Sequence, residues 1–257
     1  MHSKLTTCPG AEGNVRFFRL ARHALHEALR VIGISAGQKV LVPAFICREL
    51  LAAIYAAGAE PTFFPVTSSL VPQALPPVQG VKAVLAVNYF GFPQDLAVFR
   101  DYCTAHDAFL IEDNAHGYLS CDPQGNLLGS RGDVGIFSLR KTFALPDGGA
   151  LLVNRSDWTD RLPAPLACRN ERLPASFLVK RLLGRIQNAS GFRARTFGAQ
   201  AVRGYRRLRT GQAVPVSPPE SDFEMPGEAA IHCRSLSILR GGGDPAREVL
   251  RRRRLFE

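Results

Sequence analysis

The first 154 residues alternate between short continuous apolar runs and stretches in which apolar positions return every three or four residues. Between Arg16 and Ile32, Phe17, Leu20, Ala24, Leu25, Ala28 and Leu29 keep the second rhythm, which predicts an amphipathic helix. Gly33 is placed to end it. KVLVPAF (39–45) is a short β-type run closed by Pro43, and a second helical stretch follows through Ala57 to Gly58. The alternation continues with PTFFPV (61–66), KAVLAVNYF (82–90), a helix near 95–106, AFLIED (108–113), VGIFSL (134–139) and GALLVN (149–154). Strands apolar at every position are buried on both faces, and the helices between them supply the cover. The expected class is α/β, a mostly parallel sheet with helices on both faces. The last two strands lie close enough in sequence to be neighbours across a tight connection.

After Asn154 the pattern weakens. Residues 155–221 mix Arg, Pro, Gly and Ser, with patchy helical periodicity only around 176–186, and QAVPVSPPES (212–221) reads as a loop. An Arg-rich helical stretch is expected from about 245 to 256. Composition places the chain among ordinary globular proteins, at 257 residues and 46% hydrophobic, enough for one sizeable core. The formal net charge is +10, and all of it lies in the second part: residues 1–154 hold 12 Lys/Arg and 12 Asp/Glu, residues 155–257 hold 20 and 10. Such a region attracts nucleic acid, anionic lipid or a phosphorylated substrate, or is a solvated helix surface. RRRR (251–254) comes without a nucleic-acid-binding motif or interleaved aromatics, so nucleic acid is not the expected partner.

The first twenty residues lack an apolar signal-type core, and no run approaches the roughly 20 apolar residues that span a bilayer. Neither secretion nor a membrane partner is expected. The six cysteines are scattered, without a C-x-x-C pair or zinc-finger histidines, so no disulfide framework and no metal site are expected. They read as small buried residues in a reducing, cytoplasmic setting.

Ligands of open α/β sheets sit at the carboxyl ends of the strands. Three strand ends there carry polar groups: IEDNAHG with Glu112, Asp113 and His116; FSLRKT with Ser138, Arg140 and Lys141; and PDGG with Asp147, Gly148 and Gly149. A carboxylate, a hydroxyl and a lysine together meet the needs of pyridoxal phosphate (PLP), a pyridine ring, a phosphate and an aldehyde. Taken singly, each has an ordinary reading: a surface lysine, a helix-capping aspartate, a core histidine.

Over about Arg19–Arg254 the chain resembles the DegT/StrS-like PLP-dependent aminotransferases, most closely between Lys39 and Val153. ALHEALRVIGISAGQKVLVPAF is similar to the family's first helix and its V-P-x-x-T strand. VNYFGFPQDL resembles Y-G-x-P-x-D, IEDNAHG resembles I-E-D-x-A-Q/H, and GSRGDVGIFSLRKTFALPDGGALLVN resembles G-S-x-G-D-x-x-x-F-S-x…K…G-G. DFEMPGEAA (222–230) is similar to N-Y-R-M-S-E-x-Q-A-A. The resemblance implies a fold-type I large domain over 1–240, with 155–221 as an irregular basic region, and 241–257 as a connector helix towards a small domain that is largely absent.

It further implies PLP as cofactor, with Lys141 as the catalytic lysine that holds it. Asp113 would face the pyridine nitrogen, His116 the ring hydroxyl, and Ser138 the phosphate. Two departures stand out. The family's Gly-Thr pair at the phosphate is Ala21-Arg22 here, which makes Arg22 the phosphate candidate through its guanidinium. The ring-stacking aromatic is replaced by Cys47, with Phe45 two residues before it, so stacking is unassigned. The interval from Ser138 to Lys141 is two residues shorter than usual.

The implied activity is transfer of an amino group from a small-molecule amino donor to a keto acceptor, of the nucleotide-sugar class, in a homodimer. The dehydratase variant of the family has histidine in place of the lysine, and Lys141 speaks against it. A desulfurase-type activity would need a reactive cysteine that nothing marks out. The alternative of another class is a non-catalytic or fragmentary PLP-fold protein acting as a binding or regulatory module.

Overall fold

The apolar runs assemble into one seven-stranded sheet in a computed structural model, which describes residues 13–175, 177–179, 181–183, 194–211 and 224–240. The strands are β1 (Val15–Phe18), β2 (Lys39–Pro43), β3 (Glu60–Phe64), β4 (Val81–Val87), β5 (Phe109–Asp113), β6 (Val134–Phe137) and β7 (Gly149–Val153). Their order across the sheet is β1-β7-β6-β5-β4-β2-β3. The pairs β3–β2, β2–β4, β4–β5 and β5–β6 are parallel, and β6–β7 and β7–β1 are antiparallel. The mostly parallel α/β expectation therefore holds, and VGIFSL and GALLVN are neighbours.

Strand alternation explains why both faces need cover. Val40, Val42, Leu85 and Ile111 pack on one side with Leu25 and Leu29 of helix α1 (Ala21–Ile32) and Leu51 and Ile54 of helix α2 (Leu51–Ala56). Leu41, Val84, Ala86 and Leu110 point the other way, onto Phe99 and Tyr102 of helix α3 (Ala97–His106). Helix α1 ends where expected: Gly33 has φ 85°, and its N–H donates to the carbonyls of Arg30 and Leu29.

The start of that helix is corrected. Residues 16–18 belong to β1, paired in antiparallel register with β7, and α1 begins only at Ala21. Phe17 met the helical spacing by coincidence; the hydrogen bonds offered by β7 decide its conformation. Between them the chain turns tightly against the sheet: a Cβ on Gly149 would lie 2.3 Å from the carbonyl carbon of Leu20.

A second correction concerns the cysteines. Cys168 and Cys233 form a disulfide between the segment after β7 and the start of helix α5 (Cys233–Arg240). They are 65 residues apart, a separation that carries no motif for a sequence reading. Nearby, Arg169 and His232 form a parallel β-bridge. Residues 224–230 have no helix or strand, and the Ala229 carbonyl accepts the Arg19 N–H at 2.8 Å.

The chain divides into two compact units, one of residues 1–170 with 223–257 and one of Glu171–Asp222. The second contains helix α4 (Ala194–Thr210), in a stretch where sequence periodicity is weak. Its glycines and arginines dilute the apolar rhythm. The expected helix at 245–256 and the connector at 241–257 lie outside the described residues. Among the described residues no helix is long and apolar enough to cross a membrane.

Candidate active site

Parallel register brings the strand ends together. Val87 of β4 pairs with Asp113 of β5, and Asp113 with Ile136 of β6, so Asn88, Asp113 and Ser138 leave the sheet at one edge. Beside that edge is a cavity of ≈ 420 Å³, within the usual range for small-molecule sites. Arg22, Asp113, His116, Ser138 and Lys141 all line it.

Asp113 is almost fully buried. Its Oδ1 accepts the Ala115 N–H at 2.9 Å. Burial pushes its carboxyl up from 3.8 to about 6, against the pull of that hydrogen bond and of the Lys141 charge. The adjacent Glu112 points to the opposite face and has a different task. It is fully buried, and its carboxylate accepts the guanidinium and backbone N–H of Arg131 and the side-chain amide of Asn88 at 2.8 Å. Arg131 also donates to the side-chain Oδ1 of Asn88 and to the backbone carbonyl of Gln94. Glu112 thus fixes the sheet edge that presents Asp113.

Ser138 ends β6 and is buried, and the chain then makes one 3₁₀ turn, Leu139–Lys141. The Lys141 N–H donates to the Ser138 carbonyl at 3.0 Å. This turn sends the Lys141 amine back over the strand ends, where Nζ lies 2.8 Å from Nε2 of His116. Burial first, and then the Lys141 charge, hold the imidazole below its ordinary pKa. A neutral ring with its proton on Nδ1 accepts a hydrogen bond from the lysine through Nε2.

The turn is anchored from its far end. Asp147 accepts from Arg169 Nη2 at 2.7 Å, from Ser235 Oγ at 2.8 Å and from the His232 N–H at 3.1 Å. It is a buried carboxylate tied to the disulfide-linked strip of residues 168–169 and 232–233.

The start of α1 forms the opposite wall through Leu20, Ala21 and Arg22. It has no side-chain cap and no acidic residue in its first turn, which leaves its amide donors and the positive end of its dipole for an anion. Arg140 adds a second guanidinium to the lining.

Phe45 and Cys47 both line the cavity, as do Tyr89 and Phe90, which sequence reasoning left without a role. Phe90 stacks on the His116 ring at 5.9 Å with 8° between planes. Its φ of 54° is unusual for a bulky residue, and tertiary contacts must hold it there. Tyr89 donates its hydroxyl to the Phe45 carbonyl at 2.7 Å; burial and Asp113 push that hydroxyl up to about 12. The run NYFG was the available signal, but only its left-handed turn reveals which ring faces inward. The Cys47 thiol is raised by burial and by its contact with Glu49, to which it donates at 2.7 Å.

Residues 20–173, which contain all five candidate residues, match the DegT/DnrJ/EryC1/StrS aminotransferase family. The chain belongs to that family. Among curated members, GDP-perosamine synthase of Vibrio cholerae is 33% identical over 141 residues, 52% of this chain and 38% of the relative. GDP-perosamine synthase of Escherichia coli O157:H7 is 30% identical over 145 residues, 54% of this chain and 40% of the relative. Among solved structures, the aminotransferase TlmJ from Streptoalloteichus hindustanus is 28% identical with a TM-score of 0.51, covering 58% of this chain and 42% of that one. The chain spans about two-fifths of the length of these relatives.

Proposed function

We propose that this chain holds PLP and serves a transamination in which an amino acid gives its amino group to a keto group on a nucleotide-linked sugar. The observation that carries the reading is the convergence of a buried carboxylate, a lysine and an uncapped helix start on one cavity. The Asp113 carboxyl fits the group because it is buried with one oxygen satisfied by Ala115, which suits the other to an N–H donor. Names among the relatives, GDP-perosamine synthase and dTDP-3-amino-3,4,6-trideoxy-alpha-D-glucose transaminase, support the acceptor class.

When bound, PLP supplies an electron sink that lets a proton leave the carbon bearing the amino group. Asp113 would keep the pyridine nitrogen protonated by meeting it with negative charge. Lys141 would hold the cofactor and afterwards carry the proton as general base and acid. His116 accepts from the Lys141 amine and orients it, and would meet the ring hydroxyl. Ser138, the start of α1 and the Arg22 guanidinium would hold the phosphate. Phe45, Tyr89 and Phe90 give the cavity an apolar aromatic wall.

Within this reading, residues 1–240 hold the large domain, with Glu171–Asp222 as a compact unit of its own within that span. The protein works as a homodimer. The PLP-loaded protein, incubated with single amino acids, is expected to release one equivalent of the 2-oxo acid from its preferred donor. Loading without any release would favour a second reading, a cofactor-dependent binding module, which Cys47 at the ring-stacking position and Arg22 at the phosphate position support.

A further inference from the structure

We propose that the unit Glu171–Asp222 docks the protein on the surface of an anionic lipid bilayer. Between Glu171 and Glu220 the sequence holds ten Lys/Arg and no Asp or Glu, a charge equal to the formal +10 of the whole chain. The structure adds an apolar component to that charge. On α4, Ala201, Tyr205 and Leu208 recur at steps of four and three, on one side of the helix, and all are exposed. Leu208 is 90% exposed and Tyr205 64%. Arg207 and Arg209 flank Leu208 and are exposed too.

The helical residues before α4 repeat the arrangement, with Leu178, Val179 and Leu182 in water. The two stretches also touch each other. Their contact runs through Leu183 and Gly198, where a Cβ would come 3.0 Å from Leu183 Cδ1. An arginine-rich helix with an apolar side lies in a membrane interface, its apolar side chains in the acyl boundary and its guanidinium groups at the phosphates.

The other occupants of such a surface fit less well. A second copy in a two-fold contact would set this cationic patch against itself. Nucleic acid would use the arginines but leave the leucines wet, and among the described residues of the unit Tyr205 alone is an exposed aromatic for stacking. The inference revises the expectation that no membrane takes part, without a spanning segment.

The test is co-sedimentation of the whole chain with vesicles of phosphatidylcholine alone, or of phosphatidylcholine with phosphatidylglycerol, at low and high salt. The protein is expected to pellet with the anionic vesicles only and to be released by salt. Arg207→Gln with Arg209→Gln is expected to weaken partition about 25-fold, and Leu182→Ser with Leu208→Ser to abolish pelleting. Circular dichroism equal to wild type shows that both variants are folded. Equal pelleting with uncharged vesicles, none with anionic ones, or full retention by the leucine variant would overturn the proposal. Binding to duplex DNA in place of vesicles would assign the surface to nucleic acid. Self-association lost in the leucine variant, without vesicle binding, would assign it to a second copy.

Discussion

Glu112 and Asp113 are neighbours in the chain, yet strand alternation sends them into different chemistry. Glu112 is matched on both oxygens by Arg131 and Asn88, whereas Asp113 keeps its charge against burial with less help. Its folded pKa, about 6, lies above the unfolded 3.8, so its contribution to stability is full below about pH 4 and is lost as pH rises through about 6. That change is worth about 3 kcal/mol. Burial gives His116 a lowered pKa and hence the opposite slope, so the difference between wild type and Asp113→Asn isolates the aspartate. Urea melts of the cofactor-free proteins should show wild type losing stability relative to the variant between pH 4 and pH 7; parallel curves would contradict the burial argument. For the matched pair, Arg131→Met leaves Glu112 buried without its partner and is expected to cost about 3–5 kcal/mol. A loss below about 1 kcal/mol would show that the pair does not hold this edge.

At the scale of elements, the Lys141 turn depends on Asp147, which gathers donors from Arg169, His232 and Ser235. Asp147→Ala should take the shared acceptor from Arg169, His232 and Ser235 at once, lower stability by about 3 kcal/mol, and speed the loss of PLP on dialysis. Retention equal to wild type would separate the clamp from the site. The interior strands were legible because burial on both faces leaves continuous apolar runs, as in β4 and β5. β1 was not, since only Val15 and Phe18 of its four residues are buried and its partner β7 lies more than 130 positions away. The Cys168–Cys233 link had no local signature, and in α4 the glycines and arginines leave only a narrow apolar side, Ala201, Tyr205 and Leu208. The site residues were legible for a topological reason: Asp113, Ser138 and Lys141 stand at or just past strand ends that the parallel register aligns. Phe90 and Tyr89 were not, because a left-handed residue decides where they face.

The molecule as a whole has two parts with different tasks. The sheet unit belongs to the DegT/DnrJ/EryC1/StrS family over residues 20–173 and gathers the candidate cofactor groups; the unit Glu171–Asp222 carries the excess charge and the exposed leucines. Since the chain spans about two-fifths of its relatives, cofactor attachment is the step it is best placed to show alone. The direct measurement is to load the purified chain with PLP, reduce with borohydride, and locate the adduct by peptide mass spectrometry, in wild type and in Lys141→Ala. A visible absorption band that borohydride abolishes, with the adduct on Lys141 and neither in the variant, is the expected result. No band in a folded wild type, or an adduct spread over other lysines, would contradict the assignment of Lys141 and the site built around it.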